Sequence, residues 1–327
     1  MRDKQPGFFV ISLDFELIWG VFDVLDLESH LGYFQNTRKA IPEIISCFKG
    51  NNIHATWATV GMLFNEGWKE WEENIPRLKP TYKDTQLSAY GFADSNKENG
   101  TEKIFFAPEL IRDIARSPGQ ELGTHTYSHY YCQEEGQSLN DFNADIQRAV
   151  KMGKDFGVEI KSLVFPRNQF KKEYLEICSA HGIESVRTNP DDWYWKNPSS
   201  EALQVKLFRT GDAYNLFGKR KSYALSTLKK KVNMPLEQKA SRFFRPYGKN
   251  KILNHLRLKR IKDEMTAAAK KGEIYHLWWH PHNFGNYPQE SMLELKELIS
   301  HFKSLESNYG FASVNMAELT NIFLKKT

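Results

Sequence analysis

The chain has 327 residues, 40% of them hydrophobic and 26% charged, with 8 Trp and a formal net charge of +5 from 45 basic and 40 acidic side chains. That length holds one large α/β barrel or two modest domains, and the composition excludes a disordered polymer. So mild a positive excess gives no reason to expect a nucleic-acid partner, and the three widely spaced cysteines, Cys47, Cys132 and Cys178, fit neither a disulfide framework nor a metal knuckle.

Residues 8–13 read as a buried strand, and Asp14 and Glu16 end the apolar run well short of a signal-peptide core or the roughly 20 residues of a membrane span. The expectation is a cytoplasmic protein with no transmembrane segment, which would meet any lipid-linked molecule peripherally at the membrane surface. A helix over 38–49 carries the apolar stripe Ile41, Ile44, Ile45 and Phe48, and a second strand occupies 54–60. This β, α, β opening is the pattern of a parallel sheet covered by helices. The rhythm breaks over 63–101, where Trp68, Trp71, Tyr82, Tyr90 and Phe92 lie among polar residues. We read this stretch as a loop insertion whose rings could stack on sugars.

Pro108 opens a helix to about Arg116, and a strand end at 121–123 is followed by a helix over 138–156 capped by Ser138. A short strand at 163–166, a helix over 174–181 and an extended stretch at 185–188 come next. A second insertion, about 194–250, contains the clusters Lys219-Arg220-Lys221 and Lys229-Lys230-Lys231, suited to phosphate or carboxylate groups. A helix over 250–271, an apolar strand over 273–279, a helix over 290–305 and a strand–helix pair over 312–323 complete the alternation. With no internal repeat, residues 1–327 read as one barrel-like domain with insertions at about 63–101 and 194–250.

In Gly123-Thr124-His125-Thr126-Tyr127-Ser128-His129, two histidines four apart would face one way on a single helical turn and could share a divalent ion. Asp14 and Glu16 close the first strand at its carboxyl end, where barrels carry their reactive groups, and residues i and i+2 of a strand share a face. One carboxylate could ligate the ion and the other act as base; the spacing leaves open which does which. His280-Pro281-His282 follows another strand, beside Trp278 and Trp279, where desolvation can tune an imidazole.

The order of these motifs resembles the polysaccharide deacetylase family, the NodB-homology carbohydrate esterases. Ser12-Leu13-Asp14-Phe15-Glu16 is similar to the family's first motif, a base followed by a metal ligand, although Phe15 here separates acids that are commonly adjacent. His125-Thr126-Tyr127-Ser128-His129 is similar to the second, Phe165-Pro166-Arg167 to the third, Asp191-Asp192-Trp193 to the fourth and Leu277-Trp278-Trp279-His280 to the fifth. Arg245-Pro246-Tyr247-Gly248 also looks like the third motif but follows the fourth in chain order.

The resemblance implies an α/β fold, a distorted (β/α)7 barrel, with Glu16, His125 and His129 as metal ligands, Asp14 as base and His280 as acid. Arg167 would orient the base and Asp192 support the acid, while Trp193, Trp279, His282 and Arg245 would meet substrate. Zinc is the first expectation for the divalent metal, with cobalt, nickel or manganese accepted by a mixed N/O site. The activity implied is removal of an N-acetyl group from an amino sugar of a surface polysaccharide or its precursor. A lipid- or nucleotide-linked sugar would reconcile the basic clusters with a cytoplasmic enzyme. The alternatives are a deformylase or other non-peptide amide hydrolase on the same barrel, and an inactive glycan-binding protein.

Overall fold

The computed structural model describes residues 6–97, 100, 102–196, 202–214 and 221–326. Lys219 and Arg220 of the first basic cluster lie outside these residues. Among the described residues nine strands form one sheet: β1 (Phe8–Phe15), β2 (Ala55–Thr59), β3 (Gln120–Thr124), β4 (Ser162–Val164), β5 (Ser185–Thr188), β6 (Leu236–Lys239), β7 (Arg242–Phe243), β8 (Ile274–Trp279) and β9 (Ala312–Val314). The order is β6-β5-β4-β3-β2-β1-β8-β7, all pairs parallel. The two strands at the ends of that order, β6 and β7, are separated in the chain only by Ala240 and Ser241. The sheet therefore curls back on itself. Counted as one interrupted strand, β6 and β7 complete a distorted seven-strand parallel barrel. β9 pairs with the amino-terminal half of β1, Phe8↔Ala312 to Val10↔Val314, on the flank that β2 takes up only from Ser12 onward.

Every residue of β1 is buried, yet its two faces differ. Phe9, Ile11, Leu13 and Phe15 join the large core beneath the helices, whereas Phe8 and Val10 join the small cluster inside the barrel with Ala58, Val164, Leu236 and Ile274. Ser12 and Asp14 continue that inner face. Alternation thus persists in a strand whose sequence, apolar through residue 13, conceals it.

The helices are α1 (Leu31–Gly50), α2 (Trp68–Asn74), α3 (Ala89–Asn96), α4 (Glu102–Phe105), α5 (Pro108–Arg116), α6 (Leu139–Asp155), α7 (Leu175–Ala180), α8 (Leu203–Ala213), α9 (Lys251–Lys271), α10 (Pro288–Tyr309) and α11 (Met316–Leu324). The expected stripe Ile41, Ile44, Ile45 and Phe48 is the buried face of α1, which begins one and a half to two turns earlier than the periodicity suggests. Ser138 caps α6 in a reciprocal capping box with Asp141. No helix among the described residues is long and apolar enough to cross a membrane.

Residues 63–101 are a different element from the loop expected. They contain α2 and α3, and Trp71, Tyr82 and Tyr90 are buried in the main core. Trp68 meets Phe105 and Phe106 at 4.8 Å between ring centres, tilted to the first and edge-on to the second. Many of the stretch's polar residues are exposed on these short helices and on the irregular segment 75–84 between them, and its buried rings contribute apolar burial instead of a sugar platform. Between 194 and 250 the chain builds α8 and the closing strands β6 and β7.

Gly123 sits where β3 approaches β4: a Cβ there would lie 2.8 Å from the Ser162 carbonyl oxygen and 3.1 Å from Thr56 Cγ2. Gly123→Ala is expected to cost about 1–3 kcal/mol by overpacking, measured by urea unfolding; an unchanged midpoint would show that β4 yields freely.

Candidate metal centre and active site

Glu16 lies one residue past β1, where the chain turns through Leu17 at φ 45° into a 3-10 turn ending at Gly20. A Cβ on Gly20 would lie 2.0 Å from the Glu16 carboxylate, so only glycine leaves that side chain its place. Glu16 Oε2 is 3.2 Å from His125 Nε2 and 3.1 Å from His129 Nε2. Edges of this length approach the about 3.3 Å expected between N and O donors of a tetrahedral ion with bonds of about 2.0–2.1 Å. His125 donates from Nδ1 to the Val164 carbonyl at 2.8 Å, which leaves its Nε2 lone pair facing Glu16. The donor set fits a divalent metal of the zinc type.

The two histidines do not converge on a helical turn as expected. They occupy a loop in which Thr126 (φ 64°) and His129 (φ 56°) adopt left-handed backbone, a strain that neighbours must hold. Asp145 of α6 does so: its carboxylate accepts from the Tyr127 and Ser128 amides at 2.6 and 3.1 Å and from the Ser128 hydroxyl at 2.5 Å. Gly61 and Met62 amides fasten the other side to the Thr126 and Tyr127 carbonyls.

Asp14 points into the same mouth, with both oxygens engaged by Arg187 of β5, Nη1 to Oδ1 at 2.6 Å and Nη2 to Oδ2 at 2.7 Å. Arg187 also donates to Ser12 Oγ and Asn168 Oδ1, and its guanidinium lies 4.3 Å from the centre of the Trp278 ring. Burial alone would raise the pKa of Asp14; Arg187, helped by His125 and His280, more than offsets it and holds the carboxyl below its usual value. Glu16 is likewise driven up by burial and brought well below its usual value by His280, His125 and His129.

His280 Nε2 is 3.6 Å from Asp14 Oδ2 and 3.7 Å from Glu16 Oε1, and its side chain, 23% exposed, is the most open of the site's imidazoles. His282 is buried with Nδ1 3.6 Å from Glu16 Oε1. Asp14, Glu16, His125, His129, His280 and His282 therefore meet at one end of the barrel.

Other expected residues stand elsewhere. Arg167 does not reach Asp14: it pairs with Asp23 and lies over the Tyr131 ring at 4.5 Å, and Arg187 holds the carboxylate instead. The motif's contribution comes one residue later, from Asn168. Asp192 pairs with Lys221 at 2.7 Å, away from His280. Trp279 faces the helical core, edge-on to Phe48 and Phe244, because strand alternation turns Trp278 to the barrel interior. Trp193 is half exposed and packs on Tyr194 and Phe208. Arg245 donates to the Arg209 carbonyl. The signal for Arg187 was present: an arginine two residues from Ser185 in a buried strand needs an acid opposite it.

The polysaccharide deacetylase family pattern matches residues 22–186, a span that includes His125 and His129 and begins after Asp14 and Glu16. A comparison with curated proteins finds no match. Among solved structures, a protein assigned as a polysaccharide deacetylase from Mycobacterium smegmatis is similar at TM-score 0.63 and 12% identity, covering 100% of this chain and 93% of its own. Another so assigned, from Pseudomonas aeruginosa PAO1, gives 0.59 and 11%, covering 98% and 90%. Puue allantoinase gives 0.60 and 10%, covering 100% and 93%. At these identities the structures establish the shared fold.

Buried imidazoles make the metal-free protein acid-sensitive. Burial lowers His129 to about 4 against the pull of Glu16, and lowers His276 and His282 to about 3, Arg187 and His280 adding to it. Near pH 5 the unfolded chain protonates all three and the folded protein none. Asp145, raised to about 6 by burial, works oppositely, being protonated only in the folded state. Over these four groups alone unfolding takes up a net of about two protons, a contribution that by itself makes stability fall by about 3 kcal/mol per pH unit on acidification around pH 5. Urea titrations of chelator-stripped protein at pH 6 and pH 5 measure this, and equal stability at both would refute it.

Proposed function

Because the chain belongs to the polysaccharide deacetylase family, hydrolases of carbon–nitrogen bonds other than peptide bonds, we propose that it removes the N-acetyl group from an amino sugar of a surface polysaccharide or of its precursor. The observation that carries this reading is the convergence of Glu16, His125 and His129 beside an Arg187-bound Asp14 and a partly open His280. The family is metal-dependent in general. A divalent ion on the three ligands, zinc by first preference with cobalt, nickel or manganese accepted, would polarise the acyl oxygen and lower the pKa of a water.

Asp14 takes the proton of the attacking water, and His280 delivers one to the departing amine nitrogen. Two hydrogen bonds from a fixed guanidinium keep Asp14 ionised and aim its oxygens, a task for which lysine lacks the geometry. Ser12, Asn168 and the face of Trp278 hold Arg187 in turn. Lys221, committed to Asp192 and Asp212, serves the protein's own ion pairs. Of the basic residues suggested for phosphate, Lys229 and Lys230 are exposed, and Lys230 feels the charge of the Glu184 carboxylate.

Acetate and formate release from free, nucleotide-linked and lipid-linked acylamino sugars tests the substrate, and formate alone would replace deacetylation by deformylation. Asp14→Asn is expected to retain metal while losing turnover by about 100- to 10,000-fold, whereas His125→Ala should lose the metal itself. If both variants keep wild-type rates, the scheme is wrong. Arg187→Lys should lower kcat by roughly 10- to 100-fold, the usual range for a residue supporting a reactive group, and unaltered kcat would remove Arg187 from the mechanism.

A further inference from the structure

Glu16 presents a different pair of histidines to each of its oxygens. Oε2 faces His125 and His129, as above. Oε1 faces His280 Nε2 at 3.7 Å and His282 Nδ1 at 3.6 Å. Glu16, His280 and His282 offer donor atoms within 4.8 Å of one another, just as Glu16, His125 and His129 do. The proposed hydrolysis uses the first trio and the acid His280; it assigns nothing to His282 Nδ1, which is buried, has no hydrogen-bond partner and points at Oε1.

We propose that Glu16 is a bridging carboxylate and that its Oε1, His280 Nε2 and His282 Nδ1 form a second, weaker site for a divalent cation of the zinc type. This rests on the reading of Glu16, His125 and His129 as the first metal site.

The local structure is built for it. His280 is extended (φ −99°, ψ 129°) and Pro281 begins a 3-10 turn, so the rings on either side of the proline lie parallel, 9° apart in plane and 4.9 Å between centres. Two imidazoles and one carboxylate are a donor set that borderline cations accept, leaving positions for water. Asp14 Oδ2 is 3.6 Å from His280 Nε2 but is already held by Arg187, so it stays outside the set.

The ranking of the two sites follows from geometry. The first has donor separations of 3.1–3.2 Å among fully buried groups; the second has 3.6–3.7 Å and one partly open imidazole. It therefore needs more rearrangement and loses more to water. Its occupant would take the nitrogen with which His280 delivers a proton, so a second ion opposes turnover.

Equilibrium dialysis of chelator-stripped protein against Zn2+ and Co2+, with metal counted per chain, tests this. The expected result is two ions, one tight and one at least tenfold weaker. His282→Phe, which keeps a ring against His280 and Tyr33 but offers no donor, should bind one ion, and His282→Ala should do the same if the larger ring disturbs folding. Co2+ absorption should develop in two steps in the wild type and one in the variants. Activity on the acylamino sugar that the wild type hydrolyses should decline as the second equivalent binds, and an increase would overturn the proposal. One ion per chain in the wild type, or a second ion surviving in both variants, would overturn it while leaving the first site standing. No ion at all would overturn the reading of the first site as well.

Discussion

Strand β1 is buried on both faces, and its two-residue period divides it between two unrelated tasks. Odd positions from Phe9 to Phe15 fill the core under the helices, and even positions bring Ser12, Asp14 and then Glu16 to the barrel interior. Neither task tolerates a slip in register, since a one-residue shift would exchange the sets and place phenylalanines in the mouth. Parallel pairing with β2 and β8 on opposite flanks fixes that register over Phe8–Phe15. The chemistry of the site thus depends on the packing of hydrocarbon one residue away.

Carboxylates in such surroundings are tolerable only when matched. Removing one partner of a buried ion pair typically costs about 3–5 kcal/mol, because the other charge is left without water or counter-ion. Asp14 answers this with a bidentate arginine, Glu16 with the four imidazoles around it, of which burial lowers the pKa of His129 and His282. The two acids, two residues apart on one face, are thereby given different characters. One is balanced permanently by a fixed guanidinium, and the other by groups whose charge depends on what they bind.

Much of this was legible in the amino-acid order, because strand ends and histidine spacing are local signals. The alternation of elements indicated a helix-wrapped parallel barrel, and the motif order singled out Glu16, His125 and His129 as a set. What escaped was set by non-local geometry. Arg187 serves Asp14 across the barrel from β5, a relation between residues 173 apart that no window of sequence contains. Trp278 and Trp279 are indistinguishable until β8 has a register, which then sends one inward and one to the helices. Gly20 is singled out only once Glu16 lies against it. The aromatic stretch at 63–101 misled for a related reason: short helices give too few turns for an apolar stripe to be recognised.

The position of β9 has a consequence for how the molecule comes into being. β1, made first, completes its pairing only with β8 and β9, from the far end of the chain. Until some 300 residues have been added, its Phe8–Val10 edge offers unpaired amides and carbonyls beside apolar side chains, an invitation to stray strands. Contacts of such sequence separation slow folding and prolong that exposure. A truncated product lacking the last strands would keep most of its helices and all of the first metal trio, yet present an open, adhesive flank. Shortened forms of this protein would thus be limited by aggregation before they were limited by chemistry.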